Sequence, residues 1–136
     1  MAKNQWTKIA NRNKERLRLV AQEGYVYLGS DIIARSPVDE GTFRNNWFSN
    51  VNSASTQTTT RKAKKGFGEK GGARYTDLLH VSTQYDVGDT LYFTNSLPYA
   101  RRLEYGHSQK MAPHGMVRLA TANWPMIITN IAKKIT

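Results

Sequence analysis

Residues 88–106 read Gly-Asp-Thr-Leu-Tyr-Phe-Thr-Asn-Ser-Leu-Pro-Tyr-Ala-Arg-Arg-Leu-Glu-Tyr-Gly. From Thr90 to Asn95 the side chains alternate, with Leu91 and Phe93 on one face and Tyr92 and Thr94 on the other. That period of two in β-favouring residues predicts a strand. Val87-Gly88-Asp89 ahead of it is a turn. Pro98 suits the first residue of a short helix over Tyr99 to Tyr105, because its φ is already helical and its missing N–H would be unpaired there. Gly106 is placed to end that helix.

Working toward the N-terminus, Leu78, Val81 and Tyr85 recur at helical spacing and predict a helix from about Ala73 to Gln84. Before it lies a polar stretch from Ser53, continuing as a basic, glycine-rich run through Gly72. It is too long for an ordinary hairpin loop, so residues 53–72 read either as a functional or flexible loop or as a protruding hairpin with the basic run at its tip. Phe43, Trp47 and Val51 share one parity in a predicted strand from Thr42 to Asn52, which would turn them toward the core. Val38-Asp39-Glu40-Gly41 is a turn. From Asn4 to Ala34, Trp6, Ile9, Leu17, Val20, Tyr27, Leu28 and Ile32 recur at intervals of three, four or seven, predicting one long helix with Gly24 as the expected site of a bend. Ser36-Pro37 ends it, because a residue before proline is pushed out of the α region.

Toward the C-terminus, Met116, Leu119, Trp124, Ile127, Ile128, Ile131 and Ile135 form the apolar stripe of a last helix, with Pro125 expected to kink it. The order α-β-α-β-α-α has too few strands for a parallel doubly wound sheet. It predicts a single α+β domain over residues 1–136: a small, mostly antiparallel sheet covered by a long N-terminal helix and a kinked C-terminal helix.

The chain has 136 residues and no cysteine, which excludes disulfides and thiolate metal sites. Met1-Ala2-Lys3-Asn4-Gln5-Trp6 lacks the apolar run of a signal peptide, and no stretch reaches the length of a membrane span, so a soluble product made in the cytoplasm is expected. Net charge is +10, from 20 Lys+Arg against 10 Asp+Glu. That excess favours anionic partners. Part of it sits in Arg61, Lys62, Lys64, Lys65, Lys70 and Arg74, a run that suits either DNA contact or a solvated loop.

Catalytic chemistry is not evident. His107 and His114 are seven residues apart, without a carboxylate placed to complete a metal site, and His80 stands alone. There is no nucleophile elbow and no P-loop; Gly66-Phe67-Gly68 follows no apolar strand. Asp39 and Asp89 sit beside glycines, where turn-forming aspartates belong. Glu104 follows Arg101 by three residues and is expected to pair with it, or with a base of another subunit. Tyr99 and Leu103 are four apart and read as core or interface anchors, with Arg101 and Arg102 exposed. The interleaved aromatic and basic residues there would also suit a stacking surface for nucleic acid.

Four blocks in chain order carry a resemblance. They are Ser36-Pro37-Val38-Asp39-Glu40-Gly41-Thr42-Phe43-Arg44-Asn45-Asn46-Trp47, Gly88 to Asn95, Asn95 to Gly106 with its Asn-x-x-Pro-Tyr-Ala start, and Ala112-Pro113-His114-Gly115-Met116-Val117. Together they resemble the tail-completion, or head–tail joining, family of tailed bacteriophages. Glu40 stands where that family usually has Thr, and Phe43 where Leu is common. The resemblance covers about two-thirds of the chain and leaves 57–72 outside it.

The resemblance implies a non-enzymatic virion protein without cofactors, located at the head–tail neck or tail end after assembly in the host cytoplasm. It would form a homo-oligomeric ring, six copies being the family expectation and twelve equally compatible with the sequence. Its partners would be neighbouring neck, connector, and tail-terminator or tail-tube proteins, with non-specific contact to genomic DNA in the channel and no membrane. Expected interface residues are Trp6, Asp39, Arg44, Tyr99, Arg102, Glu104, Arg118, Trp124 and Met126. The basic run of Arg61, Lys62, Lys64, Lys65, Lys70 and Arg74 would face the DNA channel, an acidic partner ring or solvent. The alternative is a small basic nucleic-acid-binding module. A nuclease comes third, for want of clustered acids.

Overall fold

The computed structural model describes residues 2–36, 42–60, 73–105 and 115–135. Helix α1 runs from Ala2 to Arg35, about 50 Å at 1.5 Å per residue. A single 3-10 turn, Arg44–Asn46, leads into strand β1, Trp47–Val51. Helix α2 covers Ala73–Thr83, strand β2 Leu91–Asn95 and helix α3 Ala100–Glu104. Helices α4, Val117–Ala122, and α5, Trp124–Lys134, complete the described chain. The architecture is α+β: among the described residues, five helices around a two-stranded antiparallel sheet.

The strands pair with Trp47 opposite Asn95 and Val51 opposite Leu91. Residues opposite one another share a face, so Trp47, Ser49 and Phe93 lie together, and Phe48 and Asn50 lie on the other side with Tyr92 and Thr94. On the first face the Trp47 and Phe93 rings stack with centroids 4.9 Å apart, and Tyr25 of α1 meets Phe93 edge-on at 6.3 Å. That face joins one core cluster of Ile32, Ile33, Phe43, Trp47, Met116 and Ala120, flanked by Leu28, Leu97, Ala100, Leu103 and Val117. α2 packs on β1 and on α1. The Tyr25 hydroxyl donates to the Tyr92 carbonyl, tying α1 to the sheet, and burial pushes that phenol's pKa up.

The strand predicted from Thr42 begins only at Trp47. Asn46, with no exposed surface, donates through Nδ2 to the carbonyls of Thr42 (2.7 Å) and Thr59 (2.9 Å) and accepts from the Thr59 N–H (2.9 Å). A side chain bonded to the backbone four residues earlier holds that segment coiled, out of reach of the ladder. At the far end of the sheet, Asn52 adopts a left-handed conformation (φ 65°). Its side chain accepts from Thr90 N–H at 2.9 Å and donates to Asp89 Oδ1 at 3.1 Å.

The helices add one packing role and one correction. α1 continues unbroken through Gly24, whose missing side chain serves packing: a Cβ there would lie 2.8 Å from Ile128 Cδ1 and 3.0 Å from Trp124 Cη2. Pro125 does not kink one helix but begins a second. The chain leaves α4 at Asn123, and Pro125 takes the first turn of α5, where it lacks no needed N–H. Asp39, and the expectation that 53–72 forms a loop or hairpin, fall wholly or in part outside the described residues.

Candidate assembly surfaces

α1 is longer than the domain beneath it. Residues 4–17 are all exposed, about 20 Å of helix. At 100° per residue Trp6, Ile9, Leu17, Val20 and Gly24 fall on one face. α5 covers the Gly24 end of that face, and its far end reaches Arg16, whose Nε donates to the Ile135 carbonyl at 3.1 Å. Along the rest of the stripe the apolar side chains stay exposed: Trp6 is 71% exposed and Leu17 60%. Around the stripe, Lys8, Arg12, Lys14, Arg16 and Arg18 stand against the single acid Glu15, with which Arg18 pairs. The projecting segment is a basic, apolar-striped arm.

On the body, the C-terminal half of α1 with α2 and α5 encloses an open groove of about 1000 Å³. Val26, Tyr27, Leu79, Met126, Ile127 and Ile131 supply its apolar lining, and Glu23, Asp31 and Lys134 its charges. Met126 is 59% exposed and Tyr27 55%. A smaller polar recess of about 480 Å³, between the sheet and α2, is lined in part by Phe48, Thr59, Arg74 and His80.

Glu104 builds a third feature. Its Oε1 accepts from the backbone N–H groups of Met116 (2.9 Å) and Val117 (2.7 Å), and its Oε2 from that of Arg118 (3.0 Å). Arg118 Nε adds a charged bond to Oε2 at 3.0 Å. The carboxylate therefore caps α4, satisfying N–H groups that a helix start leaves unpaired. Burial raises its pKa, but the bonds from Met116, Arg118 and Val117 outweigh that and hold it below the ordinary value. Gly115 (φ +87°) makes the approach feasible, since a Cβ there would meet Glu104 Oε2 at 2.5 Å.

The expected interface residues thus divide. Trp6, Met126 and Arg102 are exposed, and Tyr99, 40% exposed, leans on Phe43 with ring centroids 6.0 Å apart. Glu104 does not pair with Arg101; it takes Arg118 and the start of α4, while Arg101 lies by the Tyr105 ring at 5.9 Å. Arg44 is buried and donates to the carbonyls of Ala34 (3.0 Å) and Ser36 (3.2 Å), closing the end of α1 from within; burial lowers its pKa. A guanidinium engaged in this way in the single chain is not presented to a partner. Trp124 packs against Gly24. Of the basic run, Arg61, Lys62, Lys64, Lys65 and Lys70 lie outside the described residues. Arg74 is a residue of α2, set over the Phe48 ring at 4.2 Å and bonded to Asn45 O (2.7 Å) and Asp77 (2.8 Å), so it belongs to the fold.

Sequence reasoning missed the groove, although it named Trp6 on the bare arm and Met126 beside the groove as interface residues. The signal was present as excess: α1 carries more apolar residues than the elements behind it can cover. No described helix is long and apolar enough to cross a membrane, and no group of three or more metal-binding side chains occurs among the described residues. Comparisons of the chain with protein-family models, with curated proteins and with solved structures found no match.

Proposed function

We propose that this chain is a structural virion protein of a tailed bacteriophage, a ring-forming neck component that completes the tail end and joins it to the head connector. The observation that carries this reading is the convergence of the four family-like blocks on one core. Phe43 and Trp47 come from the first, Phe93 from the second, Leu97, Ala100 and Leu103 from the third, and Met116 and Val117 from the fourth. Glu104 then bonds the third block to the fourth. A resemblance borne by residues that pack on one another is supported more strongly than one borne by scattered positions. The arm and the groove add apolar surface of the kind that assembly covers. A ring follows when two different patches on each subunit meet head to tail and the rotation closes.

The work of such a protein is docking, without bond chemistry. Its test is electron microscopy of particles from a phage lacking the gene, with purified protein added back. Separate filled heads and tails that join on addition are expected; normal joined virions without the protein would sink the reading.

A second reading rests on the arm. Lys8, Arg12 and Lys14 on an exposed helix suit phosphate contact by a small nucleic-acid-binding module. Such a module would retain DNA at physiological salt, with affinity falling steeply as salt rises. Retention lost at low salt already would remove it.

A further inference from the structure

We infer that the basic arm of one copy, α1 residues 4–17, docks into the α1–α2–α5 groove of the next copy, and that this is the head-to-tail contact of the assembly. The inference rests on the ring reading above and names the surfaces that would make it.

Three observations single out this occupant. First, the arm's stripe continues the face that α5 already covers. Trp124 and Ile128 lie over Gly24, and Arg16 meets the end of α5 at Ile135. Ile9 and Trp6 extend the same apolar line and stay exposed. The arm is therefore a helix face built for helical packing but left half-covered. Second, charge excludes the arm's own kind. With six bases and one acid between Lys3 and Arg18, two arms side by side would repel. The groove's charges balance, with Asp31 paired to Arg35 at 3.0 Å and Glu23 set against Lys134. It is a neutral patch on a chain of net charge +10 that does not repel a basic arm. Third, the groove is open and apolar at its floor, where Val26, Leu79, Met126 and Ile127 can receive Trp6, Ile9 and Leu17. Arm and groove are different patches of one chain, so the contact is heterologous and each subunit keeps one of each free for its neighbours.

The experiment uses the full chain in three forms: unaltered, an arm variant (W6A/I9A) and a groove variant (E23K/D31K). Circular dichroism first checks that the two variants remain folded. Masses are then read by analytical ultracentrifugation across a wide concentration range. The unaltered chain is expected to form closed oligomers, and each variant alone to sediment as a single chain. An equimolar mixture of the two variants is expected to stop at a dimer, because only one intact arm and one intact groove remain per pair. Arm-variant oligomers equal in mass to those of the unaltered chain would overturn the docking and leave a ring by another contact standing. A mixture that restores full oligomers would overturn it likewise. A single-chain mass for the unaltered protein at every concentration would overturn the docking too, while the gene-deletion experiment judges the neck reading independently. Salt-dependent DNA retention lost in a further form, K8A/R12A/K14A, whose mass equals that of the unaltered chain would overturn the docking and assign the arm to nucleic acid instead.

Discussion

Replacing Glu104 by alanine isolates the bond that locks two distant segments together. The carboxylate receives three backbone N–H groups and the Arg118 guanidinium, all between 2.7 and 3.0 Å, and its side chain is 15% exposed. Hydrogen bonds to a charged group contribute about 1.5–3 kcal/mol each, and a lost N-cap costs about 1–2 kcal/mol. The bonds share one acceptor and are not additive, so Glu104→Ala is expected to cost about 3 kcal/mol, or roughly 10 °C in thermal midpoint for a chain of this size. Glu104→Gln keeps one acceptor oxygen but not the charge, and is expected to cost about half as much. The pH dependence has a definite sign. Glu104's folded pKa is depressed, so its contribution is complete above the unfolded carboxylate's value, roughly 4.3, and is lost as pH falls through the lower folded value. Melting curves followed by circular dichroism at pH 7 and pH 3 measure both effects. A midpoint change of less than about 2 °C at pH 7, or a gap between the two proteins as wide at pH 3 as at pH 7, would refute the reasoning.

Gly115→Ala is expected to disturb the same clamp, because its Cβ would meet Glu104 and its φ of +87° disfavours any side chain. Combined with Glu104→Ala it should cost clearly less than the two separately, which a double-mutant cycle in urea reads. Gly29→Ala should destabilise despite alanine's helix preference of about 1 kcal/mol, since the new Cβ would lie 2.7 Å from Leu78 Cδ2, a side chain with no exposed surface; a higher melting midpoint would contradict that packing. Trp47→Phe removes the indole bond to Ser36 Oγ at 2.9 Å and should cost about 1–2 kcal/mol in urea unfolding. Trp6→Ala, at a site 71% exposed, should leave the stability of the single chain within about 0.5 kcal/mol, as a dilute melting curve would register.

Some of the fold was legible because it depends on neighbours in sequence. The alternation through Leu91 and Phe93 specified β2, since a period of two suits no helix. Helical spacing specified α1 and α2, and Ser36-Pro37 marked where α1 stops. Glycines beside aspartates placed the Val87–Asp89 turn. Where reading failed, a distant group had intervened. Trp47 was identified as a core strand residue, yet the coil ahead of it depends on Asn46 reaching Thr59. Arg44 was expected at an interface, but its guanidinium finds the carbonyls that end α1. Glu104 had Arg101 at the right spacing and chose Arg118, because the start of α4 offers three N–H groups as well.

The sequence alone thus determined the kind and order of the elements, the excess of positive charge and the existence of an apolar stripe along α1. A stripe records that a helix has a side to bury, without recording what buries it. Only the tertiary structure decided that α5 packs over the stripe at Gly24 and leaves Leu17, Ile9 and Trp6 exposed. The reason is physical: periodicity follows from the geometry of one helix, whereas coverage depends on where a second helix is placed by the packing of the whole domain.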